Sequence, residues 1–148
     1  EGEVLLCGLG WVGAGAYATS RARLGDDVVG FDIDGDAIAR HRAAGRRAFL
    51  ASATDVDFWE RLHVDRDRVR LILLTMSSQH ENLAAIEQIR AAGFRGALAV
   101  TAHYADELAE LREAGADLTF HLLAEAGTGF AEEALDHLGA RASAPAPA

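Results

Sequence analysis

The stretch "LLCGLGWVGAGAYA", residues 5–18, runs an apolar strand into a glycine turn and on into small, helix-forming residues. Its spacing, Gly8-x-Gly10-x-x-Gly13, is a weak pattern in a chain with 15 glycines, so the surroundings decide what it means. A strand precedes it, a helix follows it, and Asp32 ends the second apolar run about 20 residues after Gly13, the distance expected of an acid that reads a ribose. Gly8 permits the tight turn, Gly10 lets a phosphate approach the backbone, and Gly13 lets helix and strand pack closely. The free N–H groups at the helix N-terminus then face the anion. The negative charge of Asp32 favours NAD or a plain adenosine nucleotide over NADP.

Strand-length apolar runs near 4–7, 28–31, 48–50, 71–75, 97–102 and 118–120 alternate with helical stretches near 12–24, 36–44, 56–62, 83–92, 105–114 and 131–138. Such alternation calls for a parallel sheet covered on both faces. The expected fold is α/β: a doubly wound, Rossmann-like six-stranded parallel sheet of order 3-2-1-4-5-6. Gly25, Gly45, Gly93, Gly115 and Gly139 stand where helices end. Ser78-Gln79-His80-Glu81 fits a capping box that opens the fourth helix. Residues 1–139 read as one domain. Residues 140–148, rich in Ala, Pro and Ser, read as a disordered tail or linker.

In an open sheet the ligand sits outside the carboxyl ends of the strands where the order reverses, here between the first and fourth. That places Gly8, Leu9, Gly10, Trp11, Val12 and Gly13 of the turn at the site, with Asp32 and Ile33 after the second strand. Ser52 and Ala53 after the third strand and Thr75, Met76 and Ser77 after the fourth complete it. Ser77 or Ser78 serves equally well as a helix cap. Trp11 either packs over the turn or contacts the ligand.

The chain has 148 residues, half of them hydrophobic, and a formal charge of -9. It can bury a single core, and its charge disfavours nucleic acid and anionic lipid. All 14 basic residues are arginine, which removes Walker, Schiff-base and Tyr-Lys chemistries. The lone Cys7 reads as a buried structural thiol in a reducing compartment. His41, His63, His80, His121 and His137 stand singly, without metal-ligand spacing, and read as solvated surface residues. His103 and Tyr104, after the fifth strand, are the best placed for chemistry but have no acid or base beside them in sequence, so a binding or interface role is favoured. Arg46-Arg47 reads as an exposed charge run. No run is long enough to cross a bilayer, and no signal segment opens the chain. The start at Glu1 without methionine reads as a piece of a longer protein.

The segments "RLILLTMSSQHENLAAI" (70–86) and "AHYADELAELREAGAD" (102–117), added to the glycine turn, resemble the RCK or TrkA-N domain family. The resemblance is strongest to the cytosolic C-terminal domains of Kef-type and YbaL-type monovalent cation:proton antiporters and covers residues 3 to about 138. It implies a non-catalytic regulatory domain that binds NAD(H) or AMP, with ADP and ATP as further candidates. It also implies a homodimer, taken here to form through the helices after strands four and five, and control of potassium or monovalent cation transport by a membrane partner from the cytoplasmic side. By the same resemblance Gly8, Gly10, Gly13, Asp32, Ser52 and Thr75 map to nucleotide-contacting positions. Two departures stand out: the family's usual arginine in GxGRxG is Trp11 here, and a second arginine before Ala-His-Tyr is Thr101. Each missing charge-assisted bond removes about 1.5–3 kcal/mol from phosphate binding. The competing expectations are a fragment of an NAD-dependent dehydrogenase and a dimerisation scaffold that has lost its ligand.

Overall fold

The computed structural model describes residues 3–64 and 68–143. Its elements in chain order are β1 (Glu3–Cys7), α1 (Trp11–Leu24), β2 (Val28–Asp32), α2 (Gly35–Ala43), β3 (Ala48–Leu50), α3 (Val56–Leu62), β4 (Val69–Leu74), α4 (Gln79–Ala91), β5 (Ala97–Ala102), α5 (Ala105–Ala114), β6 (Leu118–His121) and α6 (Leu122–Ser143). The strands form one sheet of order β3-β2-β1-β4-β5-β6, every pairing parallel, as the alternation of apolar runs predicts.

Side-chain alternation along the strands sorts the core into two layers. Leu5, Cys7, Val29, Phe31, Ile72, Leu74, Leu98 and Val100 face α3, α4 and α5, which contribute Phe58, Trp59, Ala85, Ile86, Ile89 and Leu111. Val4, Leu6 and Val28 face α1 and α2, which contribute Tyr17 and Ile38. Because the second strand of each βαβ unit departs from opposite sides of β1, the loops after β1 and β4 diverge and leave a crevice between them.

Helix ends follow the expected chemistry, with one exception. Gly45, Gly93 and Gly115 take positive φ just beyond α2, α4 and α5, as Gly25 does after α1. Ser78 caps α4, its hydroxyl accepting the Glu81 N–H at 3.3 Å. Gly139 ends nothing. It lies inside α6, which starts nine residues before the expected 131 and runs past 139, so the tail expected from residue 140 begins at least four residues too early. Gly127 and Gly129 sit within α6 and lower its local propensity, which hid it from a reading based on propensity. Residues 144–148 of the expected tail lie outside the described residues. Among the described residues no helix is long and apolar enough to cross a membrane.

Candidate functional site

The crevice at the carboxyl ends of the strands is a cavity of about 550 Å³. Of the residues expected there, Gly8, Gly10, Trp11, Val12, Asp32, Ile33, Ser52, Ala53, Thr75, Met76 and Ser77 line it. Leu9 and Gly13 do not, and both serve as support beneath it. The Leu9 side chain is buried against Gly30, where an added methyl would stand 2.7 Å from Leu9 Cδ2. Gly13 packs so tightly that a methyl there would come within 1.7 Å of the Gly8 carbonyl oxygen. By contrast a methyl on Gly10 meets nothing within 4 Å. Packing therefore does not require glycine at position 10.

The loops after β1, β3 and β4 are each held by polar side chains of other elements. The Leu9 peptide is clamped at both ends: its N–H donates to Asp32 Oδ2 at 2.7 Å, and its carbonyl accepts from His41 Nε2 at 3.1 Å. The direction of the second bond follows from Arg46. Its guanidinium can only donate, and it lies 3.1 Å from His41 Nδ1, so Nδ1 accepts and Nε2 carries the proton. His41 is therefore a buried structural residue and not the solvated one expected from its isolation in sequence. Arg46 is likewise part of this relay rather than of an exposed charge run, and it lies over the Tyr17 ring. On the β3 side, buried Trp59 donates to the Ala53 carbonyl at 2.7 Å. On the β4 side, buried Asn82 donates to the Met76 carbonyl at 3.0 Å. The Thr75 hydroxyl donates to the Gly8 carbonyl at 2.7 Å and so ties the turn after β1 to the end of β4.

Asp32 is half-buried, and its other oxygen accepts the Asp34 N–H at 2.8 Å. A carboxylate offers about four acceptor sites, so two remain for ribose hydroxyls. Across the crevice α1 begins at Trp11, with Gly10 as an N-cap that supplies no side-chain acceptor. The first N–H groups of α1 are therefore free for an anion. Trp11 is 98% exposed at this rim. The side chain is not packed against the described chain, and its indole is free to meet a ligand.

Ser77 lines the cavity while Ser78 caps α4, which resolves their ambiguity. His103 reaches the cavity, but Tyr104 does not line it and is exposed. Among the described residues no carboxylate lies within hydrogen-bonding distance of the His103 ring. Glu107 instead accepts the backbone N–H groups of His103 and Tyr104, at 3.1 and 2.9 Å. Cys7, Phe31, Ala51, Thr54, Glu81, His103 and Leu122 also line the cavity, beyond the set read from sequence. Burial, reinforced by the negative charge of Asp32, pushes the Cys7 thiol up to about 12, so it is the inert structural thiol expected.

The same architecture recurs in solved structures. The NAD(P)-binding domain of an exopolyphosphatase-related protein from Archaeoglobus fulgidus superposes with a TM-score of 0.82 at 22% identity, over 92% of this chain and 99% of that one. The TrkA-N domain of the inner membrane protein YbaL from Escherichia coli gives 0.76 at 24% identity, over 88% and 94%. The GsuK channel bound to NAD gives 0.70 at 18% identity, over 80% of this chain and 21% of that one. No curated protein matches the sequence. A family model, the TrkA-N domain, matches residues 4–122, which takes in all of the sheet but Glu3 and every residue of the cavity wall. The chain belongs to the TrkA-N domain family.

Proposed function

We propose that this domain is a non-catalytic nucleotide sensor, taking NAD(H) or AMP in the crevice, that biases monovalent cation transport by a membrane partner from the cytoplasmic side. One observation carries the reading: the uncapped N-terminus of α1 and the ribose-reading carboxylate of Asp32 open onto the same 550 Å³ cavity. The GsuK channel, a relative in fold, has been solved with NAD and with ADP, and the YbaL relative is an inner membrane protein. Both likenesses support a nucleotide-binding role beside a membrane.

Regulation by ligand requires two arrangements with different affinities for it, and a homodimer supplies them. Helices α4 and α5 were the expected contact, but the exposed side of α5 carries Asp106, Glu110 and Glu113 against a single Arg112. Of the fourteen large hydrophobic residues exposed among the described ones, six lie on β6 (Leu118, Phe120) and α6 (Leu123, Phe130, Leu135, Leu138). Self-association is accordingly assigned to that surface.

Isothermal titration with NADH, NAD and AMP, repeated on Asp32→Ala, tests the site. Saturable binding that Asp32→Ala abolishes supports it, and no binding by any of the three overturns it. Sedimentation showing only monomer at high concentration overturns the dimer.

A further inference from the structure

The charges on the cavity wall go further than the general reading. Among the described residues that line it, the full charges are the carboxylates of Asp32 and Glu81. Among the described residues His103 is the one titratable nitrogen of the wall, and no arginine reaches it. Glu81 stands in the first turn of α4, on the β4 side of the crevice. The positive pole offered to a phosphate is the N-terminus of α1, equivalent to about half an elementary charge.

We infer that the cavity selects adenine nucleotides by the charge of their phosphates. It accepts a pyrophosphate whose two phosphates are both diesters, as in NADH, or a single phosphate, as in AMP, and discriminates against the terminal chains of ADP and ATP. This rests on the nucleotide reading above. A diester phosphate carries about one negative charge and a terminal monoester about −1.5 to −2, so each phosphoryl group added beyond AMP brings further charge toward two carboxylates with no guanidinium to offset it. At roughly 10 Å and an effective dielectric of about 20, one added charge weakens binding by about tenfold. Trp11 contributes by its identity. Where an arginine would accept the extra charge, the indole presents an uncharged face suited to a base or nicotinamide ring.

The test is titration of the wild-type domain with NADH, AMP, ADP and ATP, first in EDTA and then with Mg2+, followed by the same series on Glu81→Gln. NADH and AMP are expected to bind more tightly than ADP by about tenfold and than ATP by about a hundredfold. Glu81→Gln is expected to recover at least about threefold for ATP while moving NADH less, because the repulsion it removes grows with the charge of the phosphate chain. ATP or ADP binding as tightly as AMP in EDTA overturns the selectivity but leaves the nucleotide site standing. Mg2+, which neutralises the terminal phosphates, is expected to narrow the gap, and a gap it leaves unchanged overturns selection by charge. So does an equal response of all four ligands to Glu81→Gln. Absence of binding by all four overturns the site itself and the selectivity with it.

Discussion

The carboxylate of Asp32 accepts the backbone N–H of Leu9 at 2.7 Å, binding the end of β2 to the turn after β1. One side chain thus shapes the glycine turn and faces the cavity. Its replacement has two separable effects. Asp32→Ala leaves the amide of a buried residue without its acceptor, at a cost of about 1–3 kcal/mol. The same change removes the carboxylate proposed to read the ribose. Urea unfolding should show the stability loss without ligand, and calorimetry should show loss of NADH binding well beyond it. Asp32→Asn keeps one acceptor oxygen for Leu9 and should recover part of the stability but not the affinity.

The glycines of the turn divide by what a methyl group would meet. Gly13→Ala drives a carbon into the Gly8 carbonyl, and relief requires moving α1 off the sheet. A loss of several kcal/mol or failure to fold is expected, as for severe overpacking. Gly10→Ala meets open space, and Gly10 is the N-cap residue at φ −74°, so its stability should change by less than about 1 kcal/mol. Nucleotide affinity should nonetheless fall by tenfold or more, because the methyl occupies the approach of the phosphate. Parallel melts and titrations of the two variants distinguish the fold role from the ligand role.

Much of this site was readable from order along the chain. Strand spacing set the sheet order, the sheet order set the switch point, and the residues after β1, β2, β3 and β4 then fell on one rim. Support from across the fold was not readable. His41 is 32 residues from the Leu9 carbonyl it holds, and nothing in a lone histidine announces the Arg46 that sets its tautomer. Glu81 was visible only as a cap residue until β4 brought it to the cavity, whereas the position of His103 after the fifth strand already put it at the right edge of the sheet. Leu9 and Gly13 were misplaced for a related reason. A motif names every residue of a turn, while the geometry of the turn points some of them inward.

Cys7 makes the fold sensitive to alkali. Its thiol ionises near 9.0 when unperturbed and is pushed up to about 12 in the fold by burial and by Asp32. The folded chain therefore holds this proton more tightly than the unfolded chain. Its contribution is fully present below about pH 9 and is lost as pH rises from there through 12, at up to about 1.4 kcal/mol per pH unit. The difference between wild type and Cys7→Ala in urea unfolding at pH 8, 9 and 10 isolates this term from other groups that titrate there. The wild type should lose more stability over that range, and parallel slopes would count against it. A thiol reagent at pH 8 should label the folded protein only as fast as it opens.

Trp11 offers the most direct reading of the phosphate end. Since it is 98% exposed, no core contact is lost on replacing it, and Trp11→Arg should leave the melting temperature nearly unchanged. A guanidinium at the first residue of α1 would add a charge-assisted bond to a phosphate held at the helix N-terminus, worth about 1.5–3 kcal/mol, or roughly tenfold to over a hundredfold in affinity. The gain should be larger for ADP and ATP than for AMP, because the added charge offsets the repulsion from Asp32 and Glu81 that grows with each phosphate. NADH should gain less than ADP if its ring stacks on the indole, since the substitution then removes a contact while adding one. Trp11 fluorescence supplies an independent reading in the wild type: oxidised NAD, which does not absorb where tryptophan emits, quenches the indole it covers, while buried Trp59, bonded to the Ala53 carbonyl, is shielded from contact. A melting temperature lowered by several degrees in Trp11→Arg would show that the indole packs after all. Equal affinity of wild type and variant for ADP would place the phosphates away from the N-terminus of α1.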